Sequence, residues 1–258
     1  MVCIVLAAGY ATRLYPLTEN FPKPLLEIKG KPIIDWLLDD IDTSGAISRY
    51  VVVSNHRFYS QFAAWAERKQ LSAPVKVLDD GSISNENRLG AVKDIRFAIE
   101  SLALQEDLLV IAGDNLLDFS LGSFIRYVQR KDASCVFRYD EPDPGRIRRA
   151  AAMEVDKDDL ILRMEEKPEH PFSRWCCPPF YVYNRRDLPL ITNAIQSGCG
   201  TDAPGSLAAW MSARTRFYAM LMPGRRYDIG NLESYQYVQE HYQGIDCSSE
   251  GGTRSTEF

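Results

Sequence analysis

The chain of 258 residues is 45% hydrophobic and 25% charged, with a net charge of −5 and a pI near 5.4. That composition suits one large or two small soluble domains, and its acidity excludes the broad basic face of a general nucleic-acid binder. Six cysteines without a CxxC pair, two of them adjacent at Cys176 and Cys177, exclude the usual structural zinc spacing. The first apolar run is too short for a signal peptide, and no run approaches the ~18 apolar residues of a membrane span. A cytoplasmic protein with reduced thiols and no membrane partner is the expectation.

Apolar runs and amphipathic segments alternate through the first half. VCIVLA (2–7) reads as a buried strand, PIIDWLLDDID (32–42) as a helix opened by Pro32, RYVVVS (49–54) as a strand and FYSQFAAWAERK (58–69) as a helix. VKVLD (75–79) is the next strand, LGAVKDIRFAIESLAL (89–104) a long helix and LLVIAGD (108–114) a further strand. Strands of near-continuous apolar character joined by helices indicate a parallel sheet covered on both faces.

The second half is less regular. SFIRYVQRK (123–131) reads as a helix, SCVFRY (134–139) as a strand, DEPDPGRI as turns, and LILRMEEKP (160–168) as a short strand ending in charge. FYVYN (180–184) is a strand, RDLPLITNAI a broken helix, and DAPGSLAAWMSAR (202–214) a helix with Asp202 as its expected N-cap. RFYAMLM (216–222) is a last strand and LESYQYVQEHYQ (232–243) a last helix, opened by Asn231; residues 244–258 have tail composition. With no repeat and no linker, the chain reads as one α/β domain over 1–243.

The stretch LAAGYATRLYPLTENFPKPLL (6–26) carries the first sign of chemistry. A glycine after a buried parallel strand lets backbone amides approach a ligand, and Arg13 with Lys23 supplies a forked cation and a point charge suited to polyphosphate. The spacing is neither G-x-G-x-x-G nor the Walker A loop. Pro22 and Pro24 fix two φ angles, and Pro24 is expected to push Lys23 toward extended backbone, a lysine braced for charge that develops in a transition state.

LAAGYATRL followed by PKPLLEIKGKPII closely resembles the signature of the nucleotidyltransferases that make nucleotide sugars, the sugar-1-phosphate nucleotidylyltransferases such as glucose-1-phosphate thymidylyltransferase. LLVIAGDN (108–115), MEEKP (164–168) and YDIGN (227–231) are similar to the family's later motifs, so the resemblance covers roughly residues 1–243. It implies a Rossmann-like (GT-A-like) single domain with a mixed, mostly parallel central sheet flanked by helices. It implies in-line attack by a phosphate monoester on the α-phosphorus of an NTP, with release of pyrophosphate. Its partners would then be small molecules rather than nucleic acid, and it leaves room for a homo-oligomer.

The resemblance also distributes roles. Lys23 and Arg13 would be the catalytic cations; Leu6, Ala7, Ala8, Gly9, Arg13, Lys23, Asn85 and Gly90 would surround the NTP. Asp114 and Asp228 would hold Mg²⁺, and Glu166 and Lys167 would meet the acceptor; Trp175 is added as an acceptor contact from its own chemistry, in a segment that departs from the family. Such chemistry needs no general base, because a phosphate nucleophile is already an anion; the obstacle is repulsion between anions, which cations and positioning overcome.

Two departures bear on substrates. Asn85 stands five residues before Gly90, where many relatives have a glutamine that reads the base edge, and Ala8 replaces a second glycine. Both keep a pyrimidine base in view and weaken dTTP relative to CTP or UTP. SRWCCPPFYVY (173–183) replaces small and polar residues on the acceptor side, and Trp175 with Phe180 or Tyr181 could wall a sugar or a quaternary ammonium. The alternative is therefore a cytidylyltransferase acting on phosphocholine or a similar phosphomonoester or phosphonate. A GT-A glycosyltransferase would be expected to show D-x-D, which Asp114-Asn115-Leu116 is not. A non-catalytic nucleotide sensor would be expected to have lost Lys23 or an aspartate.

Overall fold

The computed structural model describes residues 1–246. Its strands in chain order are β1 (Val2–Leu6), β2 (Glu27–Ile28), β3 (Lys31–Pro32), β4 (Arg49–Ser54), β5 (Val75–Asp79), β6 (Leu108–Ala112) and β7 (Asn115–Leu117). There follow β8 (Ser134–Asp140), β9 (Ala151–Val155), β10 (Ile161–Glu166), β11 (Trp175–Cys177), β12 (Phe180–Tyr183), β13 (Phe217–Leu221) and β14 (Arg226–Asp228). The main sheet runs β10-β9-β11-β8-β12-β6-β1-β4-β5, with β13 also on β8.

The parallel part is β6-β1-β4-β5, in which Ile4 sits between Val51 and Val110. Strand β12 enters antiparallel between β6 and β8, so it forms a seam between the parallel N-terminal half and the antiparallel half of β8, β9, β10 and β11. The expected mixed sheet and its helical cover are present. Cys3 and Val5 face one core with Leu37, Phe62 and Phe124, while Val2 and Ile4 face another with Val92, Ile95 and Met211. Burial on both faces is why these strands read as continuous apolar runs.

Several expectations are corrected. Ala151–Val155 and Trp175–Cys177 are strands that their alanines and cysteines do not announce, and Pro144–Ile147 makes one helical turn inside the expected turn region. The helix after Asp202 runs from Pro204 to Ser212, with Ala203 at the cap position and no side-chain cap. Phe180 and Tyr181 are both buried, at 0% and 3% exposure, so neither can line an acceptor wall with Trp175. The helix Leu232–His241 does open on Asn231, whose side chain accepts from Ser234 N–H at 2.8 Å. Of the expected tail, residues 244–246 still engage the fold, Asp246 N–H donating to Asp118 O at 2.9 Å; the rest lies outside the described residues. Among the described residues no helix is long and apolar enough to cross a membrane.

Asp94, in the first turn of the helix Ala91–Leu102, is a buried carboxylate whose Oδ1 has no hydrogen-bond donor. Burial first, and then the nearby Asp80, push its pKa up to about 7 from an ordinary 3.8. The folded chain thus holds a proton that the unfolded chain has already lost, and stability falls as pH rises between those values. Asp94→Asn is expected to raise Tm at pH 8.5, by roughly 2–4 °C for each ~1 kcal/mol relieved, and to raise it by clearly less at pH 5, where only the early part of that loss has accrued. Thermal unfolding at the two pH values reads this; an equal shift at both would assign the effect to something other than ionisation.

Candidate active site

A cleft of about 340 Å³ opens at the C-terminal ends of β1 and β6, where open α/β sheets take ligands. Leu6, Ala7, Gly9, Arg13, Lys23 and Asp114 line it, together with Ala91, Asp202, Pro204 and Gly230. Segments more than a hundred residues apart therefore converge where the sequence motifs lie.

The glycine loop is built to stay open. A Cβ placed on Gly9 would meet nothing within 4 Å, so the space above its backbone is clear for a ligand. Ala8 is buried, and its carbonyl accepts from Asn55 Nδ2 at 3.0 Å. Thr18, also buried, donates to Ala11 O at 2.8 Å and closes the loop behind Arg13. Arg13 sits in a single turn of 3-10 helix, Thr12–Leu14, exposed and with no ion-pair partner among the described residues. A guanidinium left unpaired in a cleft is available to an anion.

Lys23 departs from its expected geometry. Rather than extending, it begins a 3-10 turn, Lys23–Leu25, with Leu26 N–H donating to its carbonyl at 3.0 Å. Pro22 supplies the extended residue in front, at ψ 133. The brace is therefore a closed turn and burial, since Lys23 is only 7% exposed. Its Nζ reaches Asp114 Oδ2 at 2.5 Å.

Asp114 follows Gly113, where a Cβ would fall 2.8 Å from Val5 Cγ1 and 3.5 Å from Pro24. Only glycine permits that approach, and it brings the aspartate turn against both β1 and the lysine turn. Burial pushes the Asp114 pKa up, but the Lys23 ammonium, with Arg226 beyond it, outweighs this and holds the carboxyl below its ordinary value. Asn115 Nδ2 donates to the other oxygen, Oδ1, at 2.9 Å, and is itself fixed by Arg226 Nη1 on Asn115 Oδ1 at 2.8 Å.

Asp228 enters through a ladder the sequence does not reveal. Strands β14 and β7 pair antiparallel with Asp228 opposite Asn115, the residue next to Asp114, although Asp228 itself is not among the residues lining the cleft. Asp228 is mostly exposed, with Arg226 Nη1 at 3.9 Å. Among the described residues there is no cluster of three or more His, Cys, Asp or Glu fit to cage a metal. A carboxylate in the turn before β7 and another at the end of the paired β14 fit a hard ion that takes the rest of its oxygens from phosphate and water, as Mg²⁺ does.

Of the residues expected to meet an acceptor, Glu166 ends β10 and lies over the first turn of the helix Pro204–Ser212. A Cβ on Gly205 would fall 2.0 Å from Glu166 Oε2. Burial raises the Glu166 pKa, with Lys167 opposing the shift and Asp202 adding to it. Lys167 adopts positive φ, at 51°, and its N–H donates to Ala150 O at 2.9 Å. Trp175 does not line the cleft; it packs on the core, with the Arg138 guanidinium 5.2 Å from its ring. Asn85 also stays outside the cleft lining, its amide oxygen accepting from Arg88 at 2.8 Å. Gly90 sets the start of its helix at φ 90°, where a Cβ would strike Thr201 O at 2.5 Å. Asp202, taken from sequence as a helix cap, instead lines the cleft and pairs with Arg88 at 2.7 Å. No local signal marks that role, because its partner Arg88 is distant in sequence.

The Gly205 contact gives a selective probe. Gly205→Ala meets the far end of a flexible side chain, so the fold is expected to survive while Glu166 is displaced. The KM for the acceptor is expected to rise about 10-fold, one hydrogen bond's worth, with the KM for NTP unchanged. Equal changes in both, in initial-rate assays, would remove Glu166 from acceptor binding.

The chain is similar to known proteins along most of its length. The UTP–glucose-1-phosphate uridylyltransferase AglF of Haloferax volcanii is 26% identical over 253 residues, covering 94% of this chain and 97% of that protein. The bifunctional protein GlmU of Methanocaldococcus jannaschii is 28% identical over 192 residues, 74% of this chain; the chain spans only 42% of that relative's length. A UDP-glucose pyrophosphorylase solved with UDP-glucose shares the fold, with a TM-score of 0.78 at 20% identity over 93% of this chain and 97% of that one. The sequence profile described as "Nucleotidyl transferase" matches residues 2–244, so the chain, whose cleft joins Gly9, Arg13, Lys23 and Asp114, belongs to the nucleotidyl transferase family.

Proposed function

We propose that the protein transfers a nucleoside monophosphate from a pyrimidine NTP to a sugar-1-phosphate and releases pyrophosphate. The observation that carries the reading is the buried Lys23 ammonium set against Asp114 in a cleft walled by the open glycine loop and an unpaired Arg13. Arg13 and the Gly9 backbone hold the triphosphate. Lys23 stands at the α-phosphorus, where negative charge accumulates as the acceptor oxygen bonds to phosphorus and the bond to pyrophosphate breaks. Preorganised charge of this kind acts most strongly where water is excluded.

Asp114 and Asp228 would hold Mg²⁺, which when bound neutralises phosphate charge. Lys167 receives the acceptor phosphate and Glu166 a hydroxyl of the acceptor. The acceptor phosphate is an anion at neutral pH and gives up no proton that a base must take. A pyrimidine base is supported by the near full-length match to a relative named for UTP.

The phosphocholine reading relied on an aromatic wall. With Phe180 and Tyr181 in the core and Trp175 facing Arg138, no such wall stands ready for a quaternary ammonium. A pyrophosphate-release screen crossing four NTPs with hexose-1-phosphates, phosphocholine and an aminoalkyl phosphonate tests the proposal. Release is expected with a pyrimidine NTP and a hexose-1-phosphate together. Release with phosphocholine alone would overturn the acceptor class, and a free nucleoside diphosphate as product would overturn the reaction.

A further inference from the structure

Tyr10 follows Gly9 in the glycine loop, and the chemistry above makes no use of it. It is nevertheless 5% exposed. Its ring lies against Phe58, centroids 6.2 Å apart. Its hydroxyl donates to the Ser82 carbonyl at 3.1 Å, across 72 residues of chain.

Ser82 is buried too, and it is a knot. His56 N–H donates to the same carbonyl at 2.9 Å, and Ser82 N–H and Oγ each donate to Asp80 Oδ1 at 2.7 Å. Asp80 N–H in turn donates to Ser54 O, at the end of β4, at 2.9 Å. Past the knot the loop bonds to itself. Asn87 Oδ1 accepts from Ile83 N–H at 3.0 Å and from Ser84 N–H at 2.9 Å. The segment that carries Asn85 toward Gly90 is thus internally closed and fastened to the phosphate side at Ser82.

A nucleotide can rotate about its glycosidic, sugar and phosphate bonds, but a cleft holds it at both ends only if its walls stand at a separation the molecule can span. Two loops that each grip one end must be held at the matching separation, and small misplacements are costly. We propose that Tyr10 is a positioning residue for the nucleotide, setting through Ser82 the separation between the glycine loop, which takes the phosphates, and the 81–90 segment, which runs into the helix whose first residue, Ala91, lines the same cleft. The inference rests on the reading of those loops under Proposed function. It accounts for a buried hydroxyl at a position where the phosphate chemistry asks only for backbone.

Tyr10→Phe removes the hydroxyl while keeping the ring on Phe58 and leaving His56 on the Ser82 carbonyl. Lys23 and Asp114 are anchored elsewhere, so kcat is expected to stay within about twofold while the KM for NTP rises about 10-fold, the loss of one positioning hydrogen bond. The kcat/KM ratio between the preferred and the other pyrimidine NTP is expected to relax by a similar factor. Ser82→Ala loosens the same knot from the Asp80 side, is expected to raise the KM in the same way, and serves if Tyr10→Phe yields no folded protein. A lowered Tm with wild-type KM and wild-type base ratio would overturn the proposal and leave Tyr10 a packing residue. Absence of pyrophosphate release from the wild-type protein with every NTP would instead sink the underlying reading.

Discussion

Lys23→Ala is expected to lower kcat for pyrophosphate release by about 10²–10³-fold, the range seen when one preorganised charge-stabilising donor is removed, with the KM for NTP little changed. Binding survives because Arg13 and the glycine loop are separate from the lysine turn and retain their grip on the triphosphate. The fold is expected to survive as well. Asp114 keeps Arg226 nearby and accepts from Asn115 at 2.9 Å, so removal of the ammonium does not strand a bare carboxylate. Lys23→Arg is not a rescue, since a planar fork cannot take the place of a point charge buried to 7% exposure in a tight turn. Steady-state rates with purified variants decide the matter, and retained turnover in Lys23→Ala would remove the lysine from the chemistry.

Asp114→Asn is the second large effect. The substitution keeps the shape of the side chain but removes the charge that attracts both Lys23 and a divalent ion. Activity measured against Mg²⁺ concentration is expected to fall by about 10²-fold or more and to lose its metal dependence, since each decade of rate is ~1.4 kcal/mol and a bound ion contributes several. An unaffected rate would place the metal elsewhere. Comparison of the two variants separates the roles, because Lys23→Ala is expected to keep its Mg²⁺ dependence at the reduced rate.

The parallel half of the fold was legible because its strands are apolar along their whole length and its helices carry a clear apolar stripe. RYVVVS and VKVLD coincide with β4 and β5 residue for residue. The antiparallel half was less so. AAMEV has an alanine pattern that fits a helix as readily as a strand, and WCC is three residues long; both are strands because neighbours supply the ladder. FYVY misled differently: its alternation suggests one wet face, yet both faces are buried.

Within the site, Lys23, Arg13, Gly9 and Asp114 could be read from one strong motif and one strand end. Asp228 was nameable but not placeable, because a three-residue ladder between residues 115–117 and 226–228 leaves no local trace. Asp202 was misassigned for the same kind of reason, its D-A-P-G setting suggesting a cap while Arg88 held it in the cleft. The lysine turn shows local preference overridden. The residue before a proline favours extended backbone, but closure of the Leu26 N–H onto Lys23 O and burial of the side chain prevail.

The seam at β12 has a consequence for how such a chain can diversify. Nearly every group assigned to the nucleotide lies in the parallel half or the ladder beside it, and the groups assigned to the acceptor lie across the seam on β10 and the helix it packs against. Mutations that retune the acceptor end need not pass through the contacts that hold Lys23 to Asp114, even though the helix beside Glu166 shares a core with Val2 and Ile4. One half can drift toward new acceptors while the other preserves the reaction.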